Sequence, residues 1–204
     1  MFNTLFGKKA RTEPNKSLPQ DRPPGAALDT QLAASLLIAH SALIPLTLED
    51  AAVAVGYMQP RHFTAGTVFI HEGDDRDAGF MALVLDGDVL VEGIVVERVS
   101  QITVTVLGPG SILGDLSLIN GPPRSASCTA CTDLTCAILT RASLRRLIEE
   151  NPLIGAKLML AIAARVADRL RDNTEKLKKF VTMTRAMQQE IESFKPEDKA
   201  VSSP

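Results

Sequence analysis

The spacing of apolar residues changes twice along the chain. From about residue 28 to 58 it is helical: Leu32, Leu36 and Leu37 recur at three-to-four spacing, and Thr47-x-x-Asp50 offers a capping-box start to an Ala/Val-rich turn. Gly56 and Pro60 are expected to close that region. From about 61 to 140 the pattern becomes short β-branched or apolar runs: Thr67 to Ile70, Phe80 to Leu85, Val89 to Val91, Ile102 to Leu107 and Thr135 to Leu139. Gly, Asp and Pro clusters separate them, which predicts a sandwich, jelly roll or small barrel. Thr140 to Glu150 then reads as a short helix. Asn151-Pro152, an N-cap followed by Pro at the first helical position, opens a much longer one.

That last helix carries the strongest period in the sequence. Met159, Ala163, Val166, Leu170, Asn173, Leu177, Phe180, Thr184, Met187, Ile191 and Phe194 follow alternating steps of four and three without a break. At 1.5 Å per residue the helix is roughly 60 Å long, more than a small β domain covers. The first half can pack on its own domain and the rest fray, but a two-chain parallel coiled coil buries the seam better. Asn173 would then fix register and strand number at some cost in stability. The expected organisation is a flexible leader over 1–27, rich in Pro, then β domain with flanking helices over 28–151. A coiled-coil helix over 152–194 and a polar tail over 195–204 complete it.

Composition narrows the classes of function. Seven Phe, one Tyr and no Trp argue against a single-strand nucleic-acid binder, which needs an aromatic platform. Three Cys and no secretory signal point away from a disulfide scaffold and toward the cytoplasm. No apolar run approaches the ~20 residues of a membrane span. The net charge of −2 is unevenly spread: residues 1–27 carry five basic and two acidic side chains, 157–204 ten and seven, and 28–156 seven and fifteen. A middle segment at −8 repels phosphates unless a local device overrides it, so an arginine inside it is a candidate for chemistry.

That arginine is Arg124. An apolar run ends at Gly108-Pro109-Gly110, Asp115 to Asn120 can form one helical turn, and Gly121-Pro122-Pro123 breaks it ahead of Arg124-Ser125-Ala126. A phosphate site combines backbone N–H groups at the start of a helical turn with a guanidinium. Gly114 permits close backbone approach, Arg124 supplies parallel donors, Ser125 a hydroxyl, and Ala126 leaves room behind the anion. Asp115 is a carboxylate beside a phosphate-type site, which is unfavourable unless it has another partner, such as a sugar hydroxyl. Anion plus sugar hydroxyl means a nucleotide. The plainer reading of Arg124 is a strand-end arginine paired with one of the many acids.

With these residues in view, the chain from about Leu46 to Lys179 resembles the cyclic nucleotide-binding domain of the catabolite activator protein and of protein kinase A regulatory subunits. The resemblance runs through Phe63-x-x-Gly66-x-x-Phe69-x-x-x-Gly73 and Leu85-x-Gly87-Asp88-Val89. It continues through Gly108-x-Gly110-x-x-x-Gly114-Asp115-x-x-Leu118 to Arg124-Ser125-Ala126, the family's phosphate-binding cassette. It implies an α+β fold, an antiparallel β-roll flanked by N-terminal helices and a long C-terminal dimerisation helix. It also implies a ligand, cAMP or cGMP, held by Gly114, Asp115, Leu116, Arg124, Ser125 and Ala126, with Asn173 and Thr174 of the long helix over the base. An ungapped match would instead place Arg169 and Leu170 at the base.

Two departures qualify the resemblance. The family's ribose-binding Glu is Asp115 here, one methylene shorter. An unmade charge-assisted hydrogen bond costs about 1.5–3 kcal/mol, roughly ten- to a hundred-fold in affinity. Only about ten polar residues follow Phe194, too few for the winged helix-turn-helix of transcription-factor relatives, so no DNA binding is expected. The expected output is a homodimer acting on a protein partner. The rivals are a ligand-free scaffold and a cyclic di-GMP binder, the ligand some bacterial relatives take. Cys128, Cys131 and Cys136 lack zinc spacing and read as small buried hydrophobes. His40, His62 and His71 are scattered, and His71 to Asp77 reads as a charged turn. Neither metal, cofactor nor catalytic set is expected.

Overall fold

The computed structural model describes residues 28–38, 43–75, 79–93, 103–121 and 123–193. The predicted leader 1–27, the tail 195–204, His40, Asp77 and Phe194 lie outside the described residues. Two short helices come first. In α1 (Thr30–Leu37) the Asp29 carboxylate accepts from the Leu32 amide at 3.0 Å. In α2 (Leu48–Val55) the predicted capping box is closed: Thr47 Oγ1 accepts from the Asp50 amide at 3.2 Å, and Asp50 Oδ2 from the Thr47 amide at 3.1 Å. Gly56 caps α2, but Pro60 is not part of that ending. It lies in β1 (Gln59–Phe63), an edge strand, where a residue without an N–H costs no ladder bond.

The remaining strands are β2 (Val68–Ile70), β3 (Phe80–Asp86), β4 (Val89–Gly93), β5 (Thr103–Leu107), β6 (Ile112–Leu113), β7 (Ser127–Ala130) and β8 (Leu134–Thr140). They form two four-stranded antiparallel sheets, ordered β1-β8-β3-β6 and β2-β7-β4-β5. Three more helices follow among the described residues: α3 (Asp115–Asn120), α4 (Arg141–Glu150) and α5 (Pro152–Ser193). This is the expected α+β architecture, an antiparallel roll flanked by N-terminal helices and one long C-terminal helix.

Two cores share the central strands. Phe80, Ala82 and Val84 of β3, with Leu134, Cys136 and Ile138 of β8, face the second sheet. Met81, Leu83 and Leu85, with Ala137 and Leu139, face the helices. Because both faces are buried, these strands read as nearly continuous apolar runs.

The helices are also tied by polar bonds. The Tyr57 hydroxyl donates to Glu150 Oε2 at 2.5 Å and accepts from the Asn151 amide at 2.9 Å. Asn151 stands at the expected N-cap position with Pro152 first in α5, and its side-chain amide N–H is given to Tyr57. Its carbonyl still accepts the first helical bond, from Gly155 N at 2.9 Å. Lys157 Nζ donates to Asp50 Oδ2 at 2.6 Å, and that bond holds the Asp50 carboxyl below its ordinary pKa. A depressed carboxyl stabilises the fold above its unfolded pKa, ~4, and loses that contribution as pH falls through the folded value. Lys157→Met is expected to cost about 1 kcal/mol at pH 7, a difference that shrinks in denaturation curves taken below pH ~4.

Cys128 and Cys136 are buried as expected, and burial pushes their thiols up to about 11 and about 12. Cys131 departs from the expectation: it is exposed between β7 and β8. One thiol should therefore react fast with an aromatic disulfide reagent in native protein, and all three only after unfolding.

The seam of α5 divides. Met159 and Val166 pack against the chain's own helix-side core, whereas Leu170, Leu177, Phe180, Met187 and Ile191 are all more than half exposed. Among the described residues no helix is long and apolar enough to cross a membrane.

Candidate functional site

The site is built on the loop that carries β5 through β6 into α3. Leu107 ends β5, and a turn over 108–111 follows, closed by Ser111 N donating to Gly108 O at 3.2 Å. Gly114 then takes a left-handed conformation, φ 71°, and α3 begins at Asp115. The reason Gly114 must lack a side chain is geometric. A Cβ there would stand 2.5 Å from Arg124 Nη1 and 2.7 Å from the Phe80 carbonyl oxygen. The close approach foreseen at Gly114 is thus an approach to Arg124 itself.

Arg124 lies just before β7 and is 4% exposed. Its Nη1 donates to the Phe80 carbonyl at 2.8 Å, and the guanidinium carbon sits 4.2 Å from the centroid of the Phe80 ring. Its backbone is held too: Arg124 N donates to Asp74 O at 3.2 Å, and Gly73 N to Arg124 O at 2.9 Å. A guanidinium stacked and bonded in this way has little rotamer freedom left to lose when an anion binds. Ser125 beside it is exposed and Ala126 half-buried. The structure therefore brings Gly114, Asp115 and Arg124 together around one turn, with Leu116, 39% exposed, on the outer side of α3.

Asp115 is buried, and its partners come from the protein. Oδ1 accepts from the Leu116 amide at 3.0 Å, and Oδ2 accepts from Arg169 Nη2 of α5 at 2.5 Å. The pair is asymmetric in solvent access, with side chains 6% and 46% exposed for Asp115 and Arg169. One turn earlier, Arg165 reaches the same region. Its Nη1 donates to Gly110 O at 3.2 Å, and Nη2 to the carbonyls of Leu36, Leu37 and Ile38 at 3.1–3.2 Å. Arg165 thus caps the last turn of α1 and pins the cassette turn to α5. Burial lowers its pKa from the ordinary value, and the nearby Asp115 opposes that shift.

Asn173 and Thr174 are not brought to the cassette with these residues. Both lie on the exposed part of α5, and the Thr174 hydroxyl donates to the Leu170 carbonyl at 2.8 Å. The helix residue that reaches Asp115 is Arg169, one turn earlier. A separate concavity of about 290 Å³, lined by His62, Asp86, Asp133 and Thr135 among others, shares no residue with the cassette.

A left-handed glycine, a one-turn helix and a buried arginine follow in this order on the antiparallel roll, and residues 60–151, which carry them, match the cyclic nucleotide-binding domain family. Over that stretch the chain is similar to that family. The cyclic AMP receptor protein of Thermus thermophilus is 32% identical over 127 residues, 62% of this chain and 56% of that protein. A cyclic nucleotide-binding domain from Methylobacillus flagellatus superposes with a TM-score of 0.65 at 25% identity, covering 74% of this chain and 83% of that one. The Thermus thermophilus catabolite activator protein gives a TM-score of 0.56 at 29% identity, over 67% and 61%. The chain spans about half the length of the curated relatives it matches.

Within this site, sequence reasoning missed Phe80 and Arg165 and set Arg169 aside. The available signal was electrostatic: a buried carboxylate at Asp115 required a cation, and Arg165 and Arg169 are four apart on one helix face. Arg169→Ala leaves that carboxylate unpaired and is expected to cost about 1–3 kcal/mol in chemical denaturation. Combining it with Asp115→Asn should restore most of the loss.

Proposed function

We propose that this chain is a regulatory sensor that binds a cyclic mononucleotide such as cAMP or cGMP in the roll. It then signals through the long helix of a homodimer to a protein partner. The observation that carries the reading is Arg124, a buried guanidinium preset by Phe80 and given room by Gly114. The cyclic phosphate lies against Arg124, Ser125 and the first turn of α3, and the ribose hydroxyl donates to Asp115. Because a carboxylate accepts more than one bond per oxygen, Asp115 can serve Arg169 and a hydroxyl together.

Ligand and helix then meet at one residue. Arg169 links Asp115 to α5, and Arg165 links the cassette turn to both α5 and α1. Occupancy therefore changes the energy of one helix–roll arrangement relative to another, which is what a population shift requires. The exposed distal seam, Leu170 to Ile191, forms the coiled coil with a second copy. Asn173 and Thr174 sit where that helix begins to leave the roll. No catalytic step, metal or cofactor is assigned, and no DNA contact.

The second reading is a ligand-free dimerising scaffold, favoured by the existing Asp115–Arg169 pair. A thermal-shift screen of the full chain against cAMP, cGMP and cyclic di-GMP separates them. A cyclic mononucleotide at 100 times its Kd should stabilise by about 2.7 kcal/mol. Stabilisation by cyclic di-GMP alone would replace the ligand, and no shift with any of the three would favour the scaffold.

A further inference from the structure

Between Glu175 and Glu190 helix α5 carries four basic side chains, Lys176, Lys178, Lys179 and Arg185, and no acidic one. The stretch from Lys176 to Met187 is about 18 Å long. Lys178 holds Glu175 at 2.7 Å, with both side chains more than half exposed, so that pair is weak. Lys176, Lys179 and Arg185 have no ion-pair partner among the described residues.

The same stretch is too apolar for a simple charged collar. With Leu177 and Thr184 as one row of the seam and Phe180 and Met187 as the other, Val181 and Met183 fall on the two flanks. Coiled coils usually carry Lys or Glu there. Val181 is 43% and Met183 61% exposed. A parallel pair that buries the seam leaves one Val181 and one Met183 on each of its two faces, framed by lysines.

Two occupants are excluded. The leader 1–27, with five basic and two acidic residues, has the same sign as the strip. A nucleic acid would use the cations but leave Val181 and Met183 uncovered. A narrow partner, apolar along one edge and acidic on both sides of it, satisfies both features.

We propose that the strip from Lys176 to Met187 docks an acidic amphipathic helix of a partner protein, about three turns long. Its apolar edge lies on Val181 and Met183, and its carboxylates reach the lysines and Arg185. This rests on the sensor reading given above, in which the output is a protein, and it supplies the chemistry of that partner.

The test uses the full chain and a fluorescein-labelled model helix of about 18 residues, Leu along one edge and Glu elsewhere, read by anisotropy. The comparators are the same helix with Lys for Glu, phosphatidylglycerol vesicles and a short DNA duplex. The parent is expected to bind the acidic helix roughly tenfold more tightly than the basic one, with marked salt dependence. Lys178→Glu with Lys179→Glu should reverse that preference. Val181→Ser with Met183→Ser should weaken binding roughly fivefold without changing the mass by light scattering. Equal binding of both helices, stronger capture of vesicles or DNA, or a change in mass with the serine pair overturns the proposal. Neither double variant touches the cassette, so nucleotide binding in the same samples reports on the sensor reading alone.

Discussion

Replacing Arg124 by alanine is expected to abolish the thermal stabilisation that cAMP or cGMP gives the parent protein. The expected fall in affinity is roughly 10²–10³-fold. Charge-assisted hydrogen bonds are worth about 1.5–3 kcal/mol each, and a guanidinium presents two in parallel to a phosphate. The mean field of the domain makes the loss worse, because residues 28–156 carry seven basic against fifteen acidic side chains. The variant also loses the bond to the Phe80 carbonyl and the contact with the Phe80 ring, so its ligand-free melting point should fall somewhat. Arg124→Lys separates the two effects: it restores charge but not the parallel donors, and should recover only part of the affinity. Full affinity in the alanine variant, with a native circular dichroism spectrum, would place the anion elsewhere.

Gly114→Ala should be strongly destabilising. The left-handed conformation alone costs about 1–2 kcal/mol for an L-residue. The added carbon would also collide with Arg124 Nη1 and the Phe80 carbonyl, and the second of these is backbone and cannot swing aside. A total of about 2–4 kcal/mol is expected, a fall in Tm of roughly 5–15 °C for a chain of this size. Nucleotide affinity should fall with it, because relieving the clash moves Arg124. Gly66→Ala is the control. That glycine also has positive φ, 81°, but nothing lies within 4 Å of its Cβ position, so it should show the conformational cost alone. Equal losses at the two positions would mean that the packing of Arg124 against Gly114 contributes nothing.

The roll was legible in the sequence because its signals are local. Thr47 and Asp50 cap α2 through bonds between residues three apart, and α3 starts and stops at glycines with positive φ. The long helix follows from a period that never breaks. What the sequence could not show depends on contacts between distant residues. Phe80 to Leu85 reads as an apolar run whichever way it faces. Only the fold reveals that alternate residues serve two different cores. Asn151 opens α5 as the local pattern says, but its bond to Tyr57, 94 positions away, leaves no local trace. Pro60 marks an ending in local grammar and an edge strand in three dimensions. Arg124, Gly114 and Asp115 were identified by type and spacing. The partner of Asp115 was not, because 54 positions separate it from Arg169.

Calorimetric titration of cAMP and cGMP into the full chain is the most direct measurement of whether the roll is an occupied sensor. The expected result is saturable heat from at least one of them, at one nucleotide per chain, and none with Arg124→Ala. No heat from either nucleotide up to high micromolar concentration, in protein whose roll is shown to be folded, would contradict it. The long helix and its seam would then stand as a scaffold without a ligand.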